Sequence, residues 1–302
     1  MVQAFCYDAN TAYLLTRNTS QRCFFLRPSK ELSAAILYCI ADAQARHPVA
    51  IHAFCVMSNH VHVVFTDPDG SAPLFVQAMN QNIARFVNCT LGRFGAMWEG
   101  GARPNYCVLP ESRDIFDKVV YTLTNPVKAG LVSQHHLWPG AISNVAQISK
   151  GHITTKRPTK FFAKTDDPTQ LTRELVLTPV PGAEVMSAED YGRYLAQRVS
   201  EVEAAIAADR EEKGQKWLGR RGCLALNPFD APQTQWKPFS RNPKVTSRNE
   251  DARKAQIQHQ KNFRFQYGEA KRAFREGNRD VHFPEGTFAM RVHWWVKTVP
   301  LL

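Results

Sequence analysis

The chain has 302 residues, 44% apolar and 11% aromatic, with a net charge of +11, which suffices for one core-bearing domain plus an extension. No run approaches the roughly 18–20 apolar residues of a membrane span, and residues 1–8 lack the basic start and apolar stretch of a signal peptide, so a soluble, cytoplasmic protein is expected. Seven scattered cysteines (Cys6, Cys23, Cys39, Cys55, Cys89, Cys107 and Cys223) include no C-x-x-C pair, which argues for reduced, packed thiols and against a disulfide framework or a structural zinc site.

In chain order, residues 12–16 read as a first strand, which residues 23–26 continue or neighbour. Ser29 caps a helix whose apolar positions Leu32, Ala35, Ile36, Cys39, Ile40 and Ala43 recur at helical spacing up to His47-Pro48. Residues 49–53 are strand-like and lead into a strand over 54–65, stopped by the turn formers Asp67-Pro68-Asp69-Gly70. Pro73 opens a second helix to about Leu91, and a strand covers 106–109. Glu111-Ser112-Arg113-Asp114 then begins a third helix that stops at Asn125-Pro126. The order β-α-β-β-α-β-α specifies an α+β fold, a ferredoxin-like antiparallel sheet with helices on one face and the other face free for a site.

The character of the chain changes near residue 150. Residues 1–149 carry 11 Lys+Arg against 9 Asp+Glu, whereas residues 150–302 carry 27 against 18. The polar, breaker-rich Thr154-Thr155-Lys156-Arg157-Pro158 marks the boundary between a first domain, 1–150, and a basic, mainly helical extension, 151–302. Helices are expected at 188–213 and about 248–276, separated by a loop with Trp217, Arg220 and Arg221 and a Pro- and aromatic-rich linker at 227–243. Residues 281–292 supply a turn and a short strand. The basic excess is either a grip on a polyanion, with nucleic acid ahead of membrane, or a solvated surface. In the first reading Arg220, Arg221, Lys261 and Arg264 contact DNA phosphates while Trp217, Trp236 and Phe239 stack on bases. In the second, the tryptophans, with Trp294 and Trp295, pack the extension onto the first domain.

Side chains alternate along a strand, so His60 and His62 share one face while Val61 and Val63 occupy the other. Two adjacent imidazoles are either packed residues, each needing partners for both ring nitrogens, or two neutral ligands for one divalent ion. On the third helix Tyr121 and Asn125 stand four apart and share a face. Tyr121 is either a packed aromatic or a nucleophile. A phenol with a pKa near 10 is a poor nucleophile at neutral pH, and a divalent ion that polarises a phosphate makes attack on phosphorus easier. Asn125 can offer a carbonyl oxygen to the same ion.

Ser58-Asn59-His60-Val61-His62, combined with Tyr121-x-x-x-Asn125-Pro126-Val127-Lys128-Ala129-Gly130-Leu131-Val132 and with the intervening Phe94-Gly95-Ala96-Met97-Trp98-Glu99-Gly100, resembles the REP-associated tyrosine transposases. These are a branch of the single-tyrosine HUH transposase superfamily, and the resemblance spans roughly residues 10–145. It implies the HUH endonuclease fold, His60 and His62 as ligands of Mg²⁺ or Mn²⁺, Asn125 as a third polar ligand, and Tyr121 as the nucleophile. The implied reaction is transesterification on single-stranded DNA through a 5′-phosphotyrosine link, with release of a 3′-hydroxyl and rejoining without ATP. The implied partner is single-stranded DNA with a hairpin beside a short guide sequence. Relatives with this sheet are often dimers, which implies a homodimer as one assembly. Thr16-Arg17-Asn18-Thr19 stands where relatives carry Arg-Gly-Asn, and Gly101-Ala102-Arg103 where an Arg follows the Glu-Gly pair directly, so Arg17 and Arg103 are candidates for positioning DNA. Two rival functions remain: a regulator that binds hairpins without cutting, and a hydrolase whose histidines activate water. The intact His60, His62, Tyr121 and Asn125 set favours the strand-transferring enzyme over the regulator.

Overall fold

Strand β1 (Thr11–Asn18) buries Tyr13 and Leu15 completely, and Ser29 Oγ caps the following helix α1 (Lys30–Arg46) by accepting from Leu32 N at 3.1 Å. Residues 3–100, 104–160, 162, 164–233 and 243–300 are described in this computed structural model. Strands β2 (Ala50–Val56) and β3 (His60–Asp67), helix α2 (Ala72–Leu91), strand β4 (Asn105–Leu109) and helix α3 (Ser112–Lys128) complete the first half. The four strands form an antiparallel sheet in the order β2-β3-β1-β4, the ferredoxin-like arrangement expected from the element order.

Residues 54–65 are two strands rather than one. Ser58 and Asn59 supply turn chemistry, the chain reverses at Met57-Ser58-Asn59, and Met57 N donates to His60 O at 2.8 Å. Residues 23–26 form a turn instead of a strand, and Leu26 N donates to Ser58 O at 2.9 Å. The two crossover helices pack on each other, with Phe75 of α2 meeting Phe65 of the sheet at 5.6 Å. The opposite face, which carries Thr16, His60 and His62, is covered in part by α3, whose Tyr121 ring lies 5.6 Å from His62.

Helix α3 runs through Pro126 to Lys128 instead of stopping before it. A proline in the last turn removes a single ladder bond, and Ala129 N to Asn125 O and Leu131 N to Pro126 O, both 3.0 Å, close the end. Gly130 follows in the left-handed region at φ 72°, where a side chain would be strained.

Helix α4 (Val145–Lys150) leads into a hairpin of β5 (His152–Lys156) and β6 (Thr172–Val176), joined through the short helix α5 (Pro168–Leu171). The polar stretch at 154–156 is therefore a strand. Gln44 of α1 fixes the hairpin: its Nε2 donates to Val49 O and Val176 O, both 3.0 Å, and its Oε1 accepts from Val176 N at 2.9 Å. Beyond it lie α6 (Ala188–Glu212), α7 (Gly219–Ala225), α8 (Glu250–Arg275), β7 (Phe283–Pro284), α9 (Ala289–Trp294) and β8 (Thr298–Val299). The loop expected around Arg220 and Arg221 is thus partly helical, and residues 289–294 are helix rather than strand.

Leu175, Leu177, Tyr191, Leu195, Val199 and Val245 belong to the same buried cluster as Leu15, Phe65 and Val119. Lys244 and Thr246 also pair with the free edge of β4, through Val108 N to Lys244 O at 2.8 Å and Thr246 N to Val108 O at 3.0 Å. Trp217 packs half-buried beside Cys223 and Val127, but Trp294 and Trp295 are 61% and 85% exposed and are not core aromatics. Trp236 and Phe239 lie outside the described residues.

Candidate active site

Register builds the site from three elements. In the β1–β3 ladder Thr16 stands opposite His62 and Asn18 opposite His60, so these four side chains share one face. The two imidazoles meet edge to face with ring centroids 4.7 Å apart, and α3 brings Tyr121 to 5.6 Å from His62 at an interplanar angle of 71°. Asn125, one helical turn beyond Tyr121, is 7% exposed. Sequence spacing placed His60, His62, Tyr121 and Asn125 as two pairs, and the structure brings the pairs together.

Each histidine has one nitrogen engaged by a neighbour. Thr16 Oγ1 lies 3.0 Å from His62 Nδ1, and Asn59 Oδ1 lies 2.7 Å from His60 Nδ1. Such contacts fix the orientation of each ring and direct its Nε2 away from the partner. Burial pushes the His60 pKa down to about 4, assisted by the positive charge of Arg22 and opposed by a hydrogen bond with Asn125. Burial also drives His62 well below the usual imidazole range, with His60 and Lys118 acting in the same sense and a hydrogen bond to the Leu15 carbonyl opposing them. Both rings are therefore neutral at pH 7.

Burial raises the Tyr121 phenol above its ordinary value, and a hydrogen bond with Asn125 pulls it back. Lys118 and Lys128 place their ammonium groups 5.3 and 5.4 Å from the centre of the Tyr121 ring. On a helix these residues stand three before and seven after Tyr121, so the same periodicity that linked Tyr121 with Asn125 would have found them. Thr16 and Asn59 were not singled out in the sequence, because the Thr16–His62 pairing depends on the strand register and Asn59 acts from the turn.

The donor set suits a hard or borderline divalent ion: two neutral imidazole nitrogens and one amide oxygen, with the remaining positions open to substrate oxygens. Among the described residues, the sole cluster of three His, Cys, Asp or Glu ligand atoms lies elsewhere, at Cys6, Asp8 and His259.

The other candidates fall in different places. Arg17 follows Thr16 and so points to the opposite sheet face, where burial lowers its pKa and Glu99 and Tyr106 oppose the shift. It lines a cavity of about 710 Å³ together with Asn80, Trp98, Tyr106 and Phe263. The Trp98-Glu99 stretch lies along the end of β1: Glu99 N donates to Asn18 O, and Asn18 Nδ2 to Glu99 Oε2, both at 3.0 Å. Arg103 lies outside the described residues. Arg220 and Arg221 are exposed on α7, which is tied to the end of α3 by Leu218 N to Gly130 O at 3.0 Å and Gly219 N to Leu131 O at 2.8 Å. Lys261 is exposed on α8, whereas Arg264 uses its Nε to hold Ala4 O at 3.2 Å.

The structure is similar to that of a REP-associated tyrosine transposase bound to a REP hairpin, with 20% identity and a TM-score of 0.40, over 50% of this chain and 86% of that one. It is also similar to a Deinococcus radiodurans chain named as a transposase, with 21% identity and a TM-score of 0.28, over 41% and 95% of the two chains. No family model and no curated protein matches the chain. Among the described residues, no helix is long and apolar enough to cross a membrane.

Proposed function

We propose that this chain is a DNA-processing enzyme, a tyrosine-nucleophile endonuclease and strand transferase acting on single-stranded DNA beside hairpins. The observation that carries the reading is the convergence of two neutral, oriented imidazoles with a half-buried tyrosine flanked by two lysines. His60, His62 and Asn125 would hold Mg²⁺ or Mn²⁺. When bound, such an ion polarises the scissile phosphate and offsets the charge that develops on it.

The side chains themselves account for the rest of the chemistry. Tyr121 Oη attacks the backbone phosphorus, a Tyr–O–P bond forms, and the P–O3′ bond breaks. The phenolic proton leaves Tyr121, and the departing 3′-oxygen gains a proton to become the free hydroxyl. Lys118 and Lys128, whose ammonium groups stand over the Tyr121 ring, offset negative charge on the phosphate, and the Asn125 hydrogen bond counters the burial that raises the phenol. Asn125 orients the phenol through its side-chain hydrogen bond. The adduct keeps the phosphoester bond energy, so another 3′-hydroxyl reverses the step and joins strands.

The test is denaturing electrophoresis of wild type and Tyr121→Phe after incubation with labelled single-stranded hairpins, with Mn²⁺ or with chelator. A labelled, protein-sized band should need both metal and Tyr121. Cleavage without that band would replace the nucleophile with water, and binding without cleavage would make the protein a hairpin-binding regulator.

A further inference from the structure

Three metal-ligating groups of different chemistry converge where the segment before β1 meets helix α8. Cys6 Sγ lies 3.0 Å from Asp8 Oδ1 and 3.8 Å from His259 Nε2, and the same Nε2 lies 2.8 Å from Asp8 Oδ2. Cys6 and Asp8 precede β1, while His259 stands on α8. Cys6 is fully buried, and the Asp8 and His259 side chains keep 27% and 34% exposure, so the cluster has one solvent-facing side.

The surroundings hold these groups in place. Gln260, beside His259, clasps the Cys6 backbone from both sides, with Oε1 accepting from Cys6 N at 3.2 Å and Nε2 donating to Cys6 O at 3.4 Å. Tyr7 N donates to Gly286 O at 3.0 Å. Gly286 closes over the thiol so tightly that a Cβ there would stand 2.2 Å from Cys6 Sγ and 2.9 Å from Asp8 Oδ1.

We infer that Cys6, Asp8 and His259 form a zinc site that clamps the segment before β1 to helix α8. A thiolate, an imidazole and a carboxylate are the three ligand types zinc takes, and sulfur with nitrogen disfavours magnesium or calcium. Zinc–ligand bonds of about 2.0–2.3 Å set tetrahedral ligand separations near 3.3–3.6 Å, so two of the three contacts widen by about half an ångström on binding. Water from the open side, or the Glu285 carbonyl that lies 3.7 Å from Cys6 Sγ, supplies the fourth position. Binding breaks the S–H bond of Cys6, forms an S–Zn bond and releases the proton to solvent, with no change of oxidation state. Zinc affinity therefore rises with pH. Local Cys spacing could not signal this site, since His259 lies more than 250 residues from Cys6 and Asp8 in sequence.

The test begins with the full chain, purified without chelator and assayed for zinc by elemental analysis, then stripped and titrated with Co²⁺. About one equivalent of zinc is expected, together with a thiolate-to-cobalt charge-transfer band. Both should survive His60→Ala/His62→Ala and disappear in Cys6→Ser and His259→Gln. Asp8→Asn, which keeps the hydrogen bond to His259, should weaken zinc binding at least tenfold with an unchanged circular dichroism spectrum. Saturating zinc should raise the melting midpoint by about 5 °C. Wild-type protein with no tight zinc and no charge-transfer band would overturn the assignment, and so would zinc retained at full stoichiometry by both Cys6→Ser and His259→Gln.

Discussion

Acid should weaken this fold through the very residues that keep its site neutral. His60 has a pKa of about 4 in the folded chain, against about 6.5 for an unperturbed imidazole. Between those values the unfolded chain binds a proton that the native chain does not, so stability falls as pH falls from 6.5 toward 4 and is intact above that range. For His60 alone the loss reaches about 2 kcal/mol by pH 5, less what solvent contact at the half-buried ring recovers. His62 and His52 are shifted in the same direction and add to the slope. The assay is urea unfolding in chelator from pH 7.5 to 4.5, comparing wild type with His60→Asn. Wild type should lose about 2 kcal/mol more than the variant between pH 7 and 5. Parallel curves would show that burial does not depress His60, and the acid-sensitivity argued from it would fail.

Two other substitutions probe how the site is held. Thr16→Val keeps shape but removes the hydroxyl 3.0 Å from His62 Nδ1. It should cost about 1–3 kcal/mol in stability and weaken Mn²⁺ binding about 10–100-fold by titration calorimetry; unchanged binding would mean that the Leu15 carbonyl alone orients the ring. Leu195 of α6 is fully buried in the cluster shared with the sheet, so Leu195→Ala should lower the single urea transition of the whole chain by about 2–5 kcal/mol. A separate early transition, leaving the sheet intact, would show that the extension folds independently.

Local periodicity carried much of the site. Alternation put His60 and His62 on one face, and helical spacing put Tyr121 with Asn125. Neither rule says which helix lies on which face, so the meeting of Tyr121 with His62 belongs to tertiary packing. Arg17 is instructive in the opposite way. Once Thr16 is known to face His62 across the ladder, its neighbour must point to the other side of the sheet, so Arg17 stands apart from the His60–His62 face, on the side that carries the cavity beside Trp98 and Tyr106. Residues 54–65 are two strands instead of one continuous strand because Ser58-Asn59, two turn-forming residues between β-branched segments, are a reversal signal.

The change of composition near residue 150 marks where charge accumulates, which is a property of surface, and does not mark where the core ends. The helix that carries Tyr121 is held on both sides. Its inner side meets the sheet through His62, and on its outer side Phe116 stacks on Tyr194 of α6 at 4.9 Å and meets Tyr191 at 6.4 Å. Behind it, Leu218 and Gly219 bond to Gly130 and Leu131, just past the helix end. A nucleophile must be held within a fraction of an ångström of its target to be effective, and rigid elements locked by packing are what supply that precision. On the proposed mechanism, the extension bears on the chemistry by fixing the helix that carries Tyr121.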